Sequence, residues 1–230
     1  MSIITITRGS YSRGKEVAER LAEKLGYACI SRDILLEASE EFNIPEIKLI
    51  RAIHDAPKVL ERFFGGSERY VKYYRSALLL HARKDNIVYH GLAGHFFLKD
   101  IPHVLKIRIN ADMTMRVKEE MRRENISAEE ALYVLKKDDE ERRKWSIQVY
   151  GMDPWDSRLY DMVINISTLT LEDAVDIIYG VLQKPTFRTT PESQKLVDDL
   201  AQSAKNQTAL PNSLGSPLFY LADSYLAKQD

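Results

Sequence analysis

Short runs of β-branched and aliphatic residues alternate along the chain with longer stretches in which apolar residues recur every three to four positions. The short runs predict strands over residues 3–7, 27–30, 86–90, 103–109 and 160–165. The longer stretches predict helices over residues 14–25, 45–64, 67–84, 112–124, 127–150, 170–183 and 191–204. Because strands alternate with helices, we expect a mostly parallel sheet that is covered by helices on both faces.

Capping residues mark several of the predicted helix boundaries. Gly26 follows the last apolar position of the first helix, where a residue in the left-handed conformation commonly ends a helix. Ser127 with Glu130, and Thr170 with Asp173, have the spacing of a capping box, in which side chain and backbone at a helix start bond reciprocally. These signals predict that new helices begin near residues 127 and 170.

The loop between the first strand and the first helix has the spacing of a phosphate-binding loop, G-x-x-x-x-G-K, and ends at Lys15. A strand before this spacing and a helix after it are the setting in which it indicates phosphate binding. Loop amides and the positive end of the helix can hold an anion, and Lys15 can reach its outer phosphate. The alternative is a tight turn followed by a surface lysine. The candidate phosphate-binding residues are Arg8, Gly9, Ser10, Tyr11, Ser12, Arg13, Gly14, Lys15 and Glu16.

Glu16 occupies the position at which a Ser or Thr hydroxyl normally contacts Mg²⁺ in such loops. The chain has no direct metal-binding motif, and its five histidines lack metal-ligand spacing. Mg²⁺ could still be carried by nucleotide phosphates and water, with Glu16 as a candidate ligand. Alternatively, Glu16 only complements the positive end of the helix.

Two further loops follow predicted strands, and in a parallel sheet ligands bind at that edge. Arg32 can hold a second phosphate with two hydrogen bonds, and Asp33 can bind a ribose or a base edge. Alternatively, Asp33 caps a helix and Arg32 is solvated. Gly91 brings backbone close to the cleft, and His95 either donates to a phosphate or base or is a satisfied histidine at a strand end.

The most charged stretches lie in the predicted helices 112–124 and 127–150. Opposite charges three and four residues apart are typical of exposed, self-supporting helices, so a solvated surface is the simplest interpretation. Phosphoryl transfer, however, needs cations over the moving group, often on a segment that closes over it. A two-helix lid with Arg116, Arg122 and Arg142 directed inward would supply them.

Composition narrows the class of protein. The 230 residues are 44% hydrophobic and 29% charged, with a formal net charge of -1, which gives no electrostatic case for binding nucleic acid. Cys29 is the single cysteine, so an intramolecular disulfide is excluded. No stretch approaches the ~20 apolar residues of a membrane span. We also find no signal peptide, so we expect a cytoplasmic location and no membrane partner.

The chain resembles the cytidylate kinase-like family, a branch of the P-loop nucleoside monophosphate kinases, over about residues 1–183. In this branch Glu commonly replaces the Mg²⁺-binding hydroxyl, so Glu16 agrees with it. The chain departs at Tyr11, which replaces a loop glycine, and at Leu92, where the family usually has an arginine that faces the acceptor nucleotide. The matching segments are Ile4–Arg8, Ser12–Glu16, Leu21–Gly26, Arg32–Leu35, Ser127–Ala131, Asp139–Arg142, Tyr150–Gly151 and Tyr160–Asn165.

The resemblance implies an α/β fold, a P-loop NTPase-like three-layer sandwich with a parallel five-stranded sheet in residues 1–184. A helical insert at about 36–84 would bind the acceptor, and a helical lid would span about 112–150. Residues 185–230 are more polar and are predicted to form an appendage. From about Thr189 this tail faintly resembles the opening of a BON domain, a small αβ module.

The implied reaction transfers the γ-phosphoryl group of ATP, with Mg²⁺, to a nucleoside monophosphate, CMP or dCMP. Its partners are therefore ATP and that acceptor, and a homo-oligomer is left open. A nucleotide-binding regulatory module or pseudokinase with little turnover is the alternative, and a structural or interaction protein is a third hypothesis. The implied catalytic residues are Lys15, Arg116, Arg122 and Arg142, supported by Arg8, and the implied acceptor-binding residues are Arg32, Asp33, Gly91 and His95.

Overall fold

A parallel five-stranded sheet forms the centre of the computed structural model, which describes residues 2–9, 12–31, 67–91 and 93–209. The strands follow the spatial order β2-β3-β1-β4-β5, so β1 lies in the middle and pairs with β3 and β4. This confirms the predicted parallel sheet. The strands are β1 (Ile3–Arg8), β2 (Ala28–Ile30), β3 (Ile87–His90), β4 (Val104–Asn110) and β5 (Met162–Asn165).

The described helices lie close to their predicted ranges. The exception is α3, a single turn in the stretch after the third strand for which the sequence predicts a loop. The predicted helix over residues 45–64 lies outside the described residues. The helices are α1 (Gly14–Leu25), α2 (Ser67–Ala82), α3 (Gly94–Phe97), α4 (Met113–Glu124), α5 (Ala128–Tyr150), α6 (Leu171–Leu182) and α7 (Pro191–Ala209), with short 3-10 turns at Ser157–Leu159 and Pro185–Phe187.

The two faces of the sheet pack against different helices. Successive side chains of a strand point to opposite faces. In β1, Ile4 and Ile6 are buried in one core cluster with residues of α1 and α6, such as Leu21 and Ile178. Ile3 belongs to the opposite cluster, with residues of α2, α3 and α7. The predicted three-layer arrangement of helices on both sides of a sheet is therefore confirmed.

The predicted capping signals are also confirmed. Ser127 and Glu130 form a complete capping box at the start of α5, and Thr170 and Asp173 form another at the start of α6. Gly26 ends α1 in the left-handed conformation, with φ 67°. Since α4 and α5 are separated by only a short turn, they pack side by side as a helical hairpin, the segment in which we expect the lid.

Helix α7 packs against α2 and joins the same face of the sheet. Its residues Val197, Ala201 and Ala204 are buried in the cluster that contains Leu78 and Leu79 of α2. Residues 191–209 are thus attached to the α/β core. The boundary near residue 184 and the BON-like character of the tail stay predictions, and residues 210–230 lie outside the described ranges.

The described part of the chain contains neither a membrane-spanning helix nor a cluster of metal ligands. None of its helices combines the length and the apolar character that crossing a membrane requires. The same ranges hold no group of three or more His, Cys, Asp or Glu side chains placed to bind a metal ion.

Candidate active site

The loop between β1 and α1 is anchored to the carboxyl edge of the sheet by Ser12. This side chain is fully buried, and its hydroxyl lies 3.1 Å from the carbonyl oxygens of both Gly9 and Ile109. A hydroxyl has one hydrogen, so it donates to one of the two carbonyls at a time. Because Ile109 is near the end of β4, this contact fixes the loop beside the neighbouring strand. Ser10 and Tyr11 lie outside the described residues.

The start of α1 is packed tightly against the end of β1. A Cβ added to Gly14 would lie 2.8 Å from Cβ of Arg8, closer than real Cβ atoms approach other atoms. Arg13 precedes it in the left-handed conformation, with φ 55°. The first amides of a helix have no acceptor within the helix. The amides of the first turn of α1 are therefore held at the end of the central strand, where they can bind an anion.

We expect Gly14→Ala to lower the free energy of unfolding by about 1–3 kcal/mol, because the added methyl group has no space beside Arg8. Gly180→Ala is the matched control, since a Cβ at this position in α6 meets nothing within 4 Å. In a helix interior, glycine to alanine raises stability by about 0.5–1 kcal/mol. Urea unfolding of both variants measures the difference. Equal changes in the two variants would contradict the tight packing.

The charged side chains of the loop pair with one another and with α1. Nη2 of Arg13 lies 2.7 Å from Oε2 of Glu16, and this hydrogen bond raises the pKa of Arg13. Lys15 is 60% exposed, and its Nζ lies 3.5 Å from Oε1 of Glu19 one turn along the helix. An exposed pair of this kind contributes little stability, so the Lys15 side chain can turn toward a ligand at small energetic cost.

Arg116 of α4 lies directly against the loop. It is 7% exposed, and its guanidinium donates through both terminal nitrogens to Asp139 of α5, at 2.8 and 2.9 Å. A Cβ added to Gly9 would lie 3.6 Å from Cζ of Arg116. A buried, bidentate ion pair therefore joins both helices of the hairpin and places a cation beside the loop.

The other two lid candidates are placed differently. Arg122 is exposed and forms an ion pair with Glu119 at 2.6 Å. That hydrogen bond and, more weakly, the charge of Glu16 raise the pKa of Arg122, so Arg122 lies on the side of α4 toward the start of α1. Arg142 of α5 is half-buried and, among the residues that the structure describes, has neither an ion pair nor a hydrogen bond. Their predicted roles stay proposals.

The predicted acceptor residues are only partly described. Arg32, Asp33 and Leu92 lie outside the described ranges. Gly91 lies at the end of β3, where a Cβ would collide with the hydroxyl of Tyr89. A glycine is thus required for the Tyr89 ring to lie beneath this loop.

His95 is 3% exposed, and hydrogen bonds engage both of its ring nitrogens. Nδ1 lies 2.9 Å from Oγ1 of Thr7, and Nε2 lies 3.3 Å from the hydroxyl of Tyr160. Burial, and secondarily Arg108 and Lys106, lower the pKa of His95 to about 3. The ring is therefore neutral and held within the protein.

A residue that the sequence analysis did not single out, Arg75 of α2, lies close to this region. Its Nε is buried without a hydrogen-bond partner, and within the described ranges Arg75 has no ion pair. Burial lowers its pKa, while the nearby Tyr150 partly opposes this. The available signal was an arginine that interrupts a run of aromatic and small residues, Tyr73 to Ala77. An uncompensated cation of this kind is costly and favours binding of an anion.

Arg75 borders a cluster of tyrosines beneath the loop after β3. The hydroxyl of its neighbour Tyr74 contacts the hydroxyl of Tyr89, which lies against Gly91. Tyr150 stacks on Phe96 of α3, with ring centroids 4.6 Å apart. Arg75 is thus next in sequence to a tyrosine that supports the loop in which the sequence predicts acceptor binding, and its charge interacts with Tyr150.

Comparison with known proteins agrees with this geometry. Residues 3–168 match the Cytidylate kinase-like family. The chain is 26% identical to the cytidylate kinase of Sulfolobus acidocaldarius over 186 aligned residues. The alignment covers 80% of this chain and 96% of that protein. It is 32% identical over 102 residues to the cytidylate kinase of Methanosarcina acetivorans, covering 44% of this chain and 56% of that protein.

Among solved structures, an uncharacterized protein from Eubacterium ventriosum has the same fold. It superimposes with a TM-score of 0.57 at 24% sequence identity, over 80% of this chain and 99% of that protein. The family match covers most of the chain, including the loop after β1 and the helical hairpin that supplies Arg116. This protein therefore belongs to the cytidylate kinase-like family.

Proposed function

We propose that this protein transfers the γ-phosphoryl group of ATP to a nucleoside monophosphate, with CMP or dCMP as the acceptor. The observation that carries the proposal is the position of Arg116, whose guanidinium lies against Gly9 beside the tightly packed start of α1. Phosphoryl transfer depends mainly on positioning and on neutralising the charge of the moving group. Amides at the helix start and a fixed cation supply both.

The other basic residues complete the proposed charge distribution. Lys15 turns from Glu19 to bind and stabilise the transferring phosphoryl group, and Arg8 supports it from the end of β1. Arg142, half-buried without an ion pair in the described part of the chain, contributes a further cation from α5. Arg122 is exposed and pairs with Glu119 on its own helix, so it would act only if the hairpin closes.

Mg²⁺ would enter with the ATP phosphates and keep several of its waters. The described residues hold no cluster of metal ligands, and the carboxylate of Glu16 lies in the first turn of α1. Glu16 would be the candidate protein ligand for an ion that the nucleotide phosphates carry into the site. The bound ion neutralises phosphate charge during the transfer.

For the acceptor, we propose that Arg75 binds the phosphate of the nucleoside monophosphate. It is half-buried and has no ion pair among the described residues, and its neighbour Tyr74 contacts Tyr89, which lies against Gly91. An arginine can hold a phosphate with two parallel hydrogen bonds. The reaction needs free nucleotides rather than nucleic acid, and we place the enzyme in the cytoplasm, where these nucleotides are available.

The direct test is a transfer assay with purified protein, ATP, Mg²⁺ and each nucleoside monophosphate in turn, in which ADP and nucleoside diphosphate are both quantified. We expect CMP or dCMP to give the largest kcat/KM. A Lys15→Ala variant measures contaminating activity. The proposal fails if no monophosphate raises ADP formation above the level of that variant.

We expect Arg75→Met to raise KM for the acceptor by about 10- to 100-fold and to leave KM for ATP unchanged, because a charged hydrogen bond to phosphate is lost. The same variant should not lower the free energy of unfolding, since it removes a buried cation that has no ion pair in the described structure. Arg83→Met is the matched control, because Arg83 follows the same helix but is exposed and pairs with Asp198 at 2.8 Å.

An equal change of acceptor KM in the Arg75 and Arg83 variants would contradict a phosphate-binding role for Arg75. A loss of stability in Arg75→Met alone, with unchanged kinetics, would show that Arg75 is structural.

The alternative, nucleotide binding with little turnover, is favoured by one feature of the site. Lys15 and Arg116 are both engaged by carboxylates, Glu19 and Asp139, rather than directed into an open cleft. ATP binding to the native state raises stability by RT ln(1 + [L]/Kd). A rise in melting temperature with ATP, combined with no nucleoside diphosphate formation, would support this alternative over the kinase.

A further inference from the structure

A chain of buried hydrogen bonds runs beneath the site on the side of the sheet that faces α3. It begins at Oγ1 of Thr7, which lies 2.9 Å from Nδ1 of His95. Nε2 of His95 lies 3.3 Å from the hydroxyl of Tyr160, and that hydroxyl donates to the carbonyl oxygen of Pro154 at 2.9 Å. Thr7, His95 and Tyr160 are each less than a tenth exposed.

The direction of every bond in this chain follows from its last member. A carbonyl oxygen only accepts hydrogen bonds, so the Tyr160 hydroxyl donates its one hydrogen to the carbonyl of Pro154. It must therefore accept a hydrogen bond from Nε2–H of His95. Burial and the nearby Arg108 and Lys106 lower the pKa of His95 to about 3, so the ring carries a single hydrogen. Nδ1 therefore accepts from the hydroxyl of Thr7, and the ring is held in one tautomer.

This chain of hydrogen bonds joins three parts of the proposed active site. Thr7 is in β1 just before the phosphate-binding loop, and His95 is in α3 just after the loop at Gly91. Pro154 and Tyr160 lie in the segment that connects α5, the second helix of the proposed lid, to β5. Arg108 of β4 also donates to the carbonyl of Pro154, which fixes this segment to the sheet.

Ring packing extends the same connection into α5. The rings of His95 and Phe96 have centroids 3.8 Å apart, and Phe96 stacks on Tyr150 at 4.6 Å. Tyr150 is the last residue of α5, and Gly151 follows it in the left-handed conformation with φ 67°. The end of the proposed lid therefore packs on Phe96, whose ring lies against the His95 ring that bonds the strand leading to the phosphate-binding loop.

We infer that His95 is a positioning residue that couples the segment after α5 to the strand carrying the phosphate-binding loop. This inference rests on the proposed phosphoryl transfer. Movement of α5 reaches Thr7 through the ring of His95, and phosphate bound at the loop in turn fixes the segment of Pro154 and Tyr160. His95 itself does not touch the reacting groups.

The kinetic test uses Thr7→Val and Tyr160→Phe, which remove the two hydroxyl groups and keep the side-chain shapes. We expect each to lower kcat by about 10-fold with KM values changed by less than about twofold, because positioning is lost while substrate binding remains. Since both hydroxyls bond the His95 ring, and Thr7 also interacts with Tyr160, the double variant should be no slower than the slower single variant. Non-additivity of this kind is not expected from two independent structural defects.

Two matched controls make the same Thr→Val and Tyr→Phe changes at residues that do not belong to this chain of hydrogen bonds. Thr5 is on the same face of β1, is 1% exposed, and its hydroxyl has no hydrogen-bond partner among the described residues. Tyr133 is on α5 and is 68% exposed. We expect Thr5→Val and Tyr133→Phe to keep kcat. The inference is overturned if Thr7→Val behaves like Thr5→Val, or if the Thr7 and Tyr160 effects multiply.

A second measurement does not depend on turnover. Trp155 follows Pro154 and is 49% exposed, whereas the second tryptophan, Trp145, is 4% exposed. Iodide quenching of fluorescence therefore reports on Trp155. We expect ATP to change this quenching in the wild type and in Thr5→Val, and to change it much less in Thr7→Val at equal ATP occupancy, which calorimetry establishes.

The outcomes separate the inference from the proposed function. An unchanged response in Thr7→Val, or no response in a wild type that binds ATP, overturns the coupling. A wild type that binds ATP and shows the response but transfers no phosphoryl group overturns the proposed function and supports the coupling. A wild type that does not bind ATP overturns both.

Discussion

Replacing Lys15 with alanine is expected to lower kcat by at least about 100-fold, the cost of removing one preorganised group that stabilises transition-state charge. Lys15 follows Gly14 at the start of α1 and is 60% exposed. Its only carboxylate partner in the described structure is Glu19 at 3.5 Å, so the variant should unfold at the wild-type denaturant concentration. A large kinetic effect without a stability effect separates a catalytic lysine from a structural one.

Lys24→Ala is the matched control for this experiment. Lys24 is in the last turn of the same helix, is 42% exposed and pairs with Asp176 at 2.5 Å. It lies at the opposite end of α1 from the proposed phosphate-binding loop, so we expect unchanged kcat. Similar activity in the Lys15 and Lys24 variants would show that Lys15 plays no part in transfer.

Local sequence features predicted most of the fold because they act within a few residues. Each of these features is contained within a single strand or helix. Examples are the buried residues of β1, the amphipathic pattern of α1 and the capping boxes at Ser127 and Thr170. The single turn α3 was missed for the opposite reason. Phe96 and Phe97 are buried against Tyr150, far along the chain, and this packing stabilises a turn with little helical pattern of its own.

The same distinction explains what could be predicted about the site. The spacing of Gly9, Gly14 and Lys15 is local and predicts a phosphate-binding loop, which stays a prediction. Arg116 is different, because its sequence neighbours favour pairs along the helix, whereas it bonds Asp139 on the next helix. Arg75 was not recognised because whether a cation has an ion-pair partner can be judged only when the side chains around it are known.

His95 shows where sequence reasoning left two alternatives open. A histidine after a strand can contact a ligand or be satisfied inside the protein, and the residues around it do not decide between them. The decisive groups are Thr7 and Tyr160, which are distant in sequence and meet His95 only in the folded chain. The geometry favours a supporting role over direct contact with the acceptor.

Arg116→Met is expected to lower both stability and activity, and the two losses have separate causes. The variant leaves the half-buried carboxylate of Asp139, which is 16% exposed, without the buried guanidinium that it pairs with. Breaking a buried ion pair in this way costs about 3 kcal/mol of unfolding free energy. The same substitution removes the cation that lies against Gly9, so kcat should fall by about 100-fold or more.

The double variant Arg116→Met/Asp139→Asn separates these causes. Removing both charges should restore the free energy of unfolding to within about 1 kcal/mol of the wild type, because Asp139 is no longer left as an unpaired charge. Its kcat should stay as low as that of the single variant, since the cation beside the loop is still absent. Arg123→Met is the control on the same helix, where Arg123 is 55% exposed and pairs with Glu124, and it should change neither quantity appreciably. Recovery of kcat together with stability in the double variant would show that Arg116 only holds α4 against α5, and the charge beside Gly9 would then have no part in phosphoryl transfer.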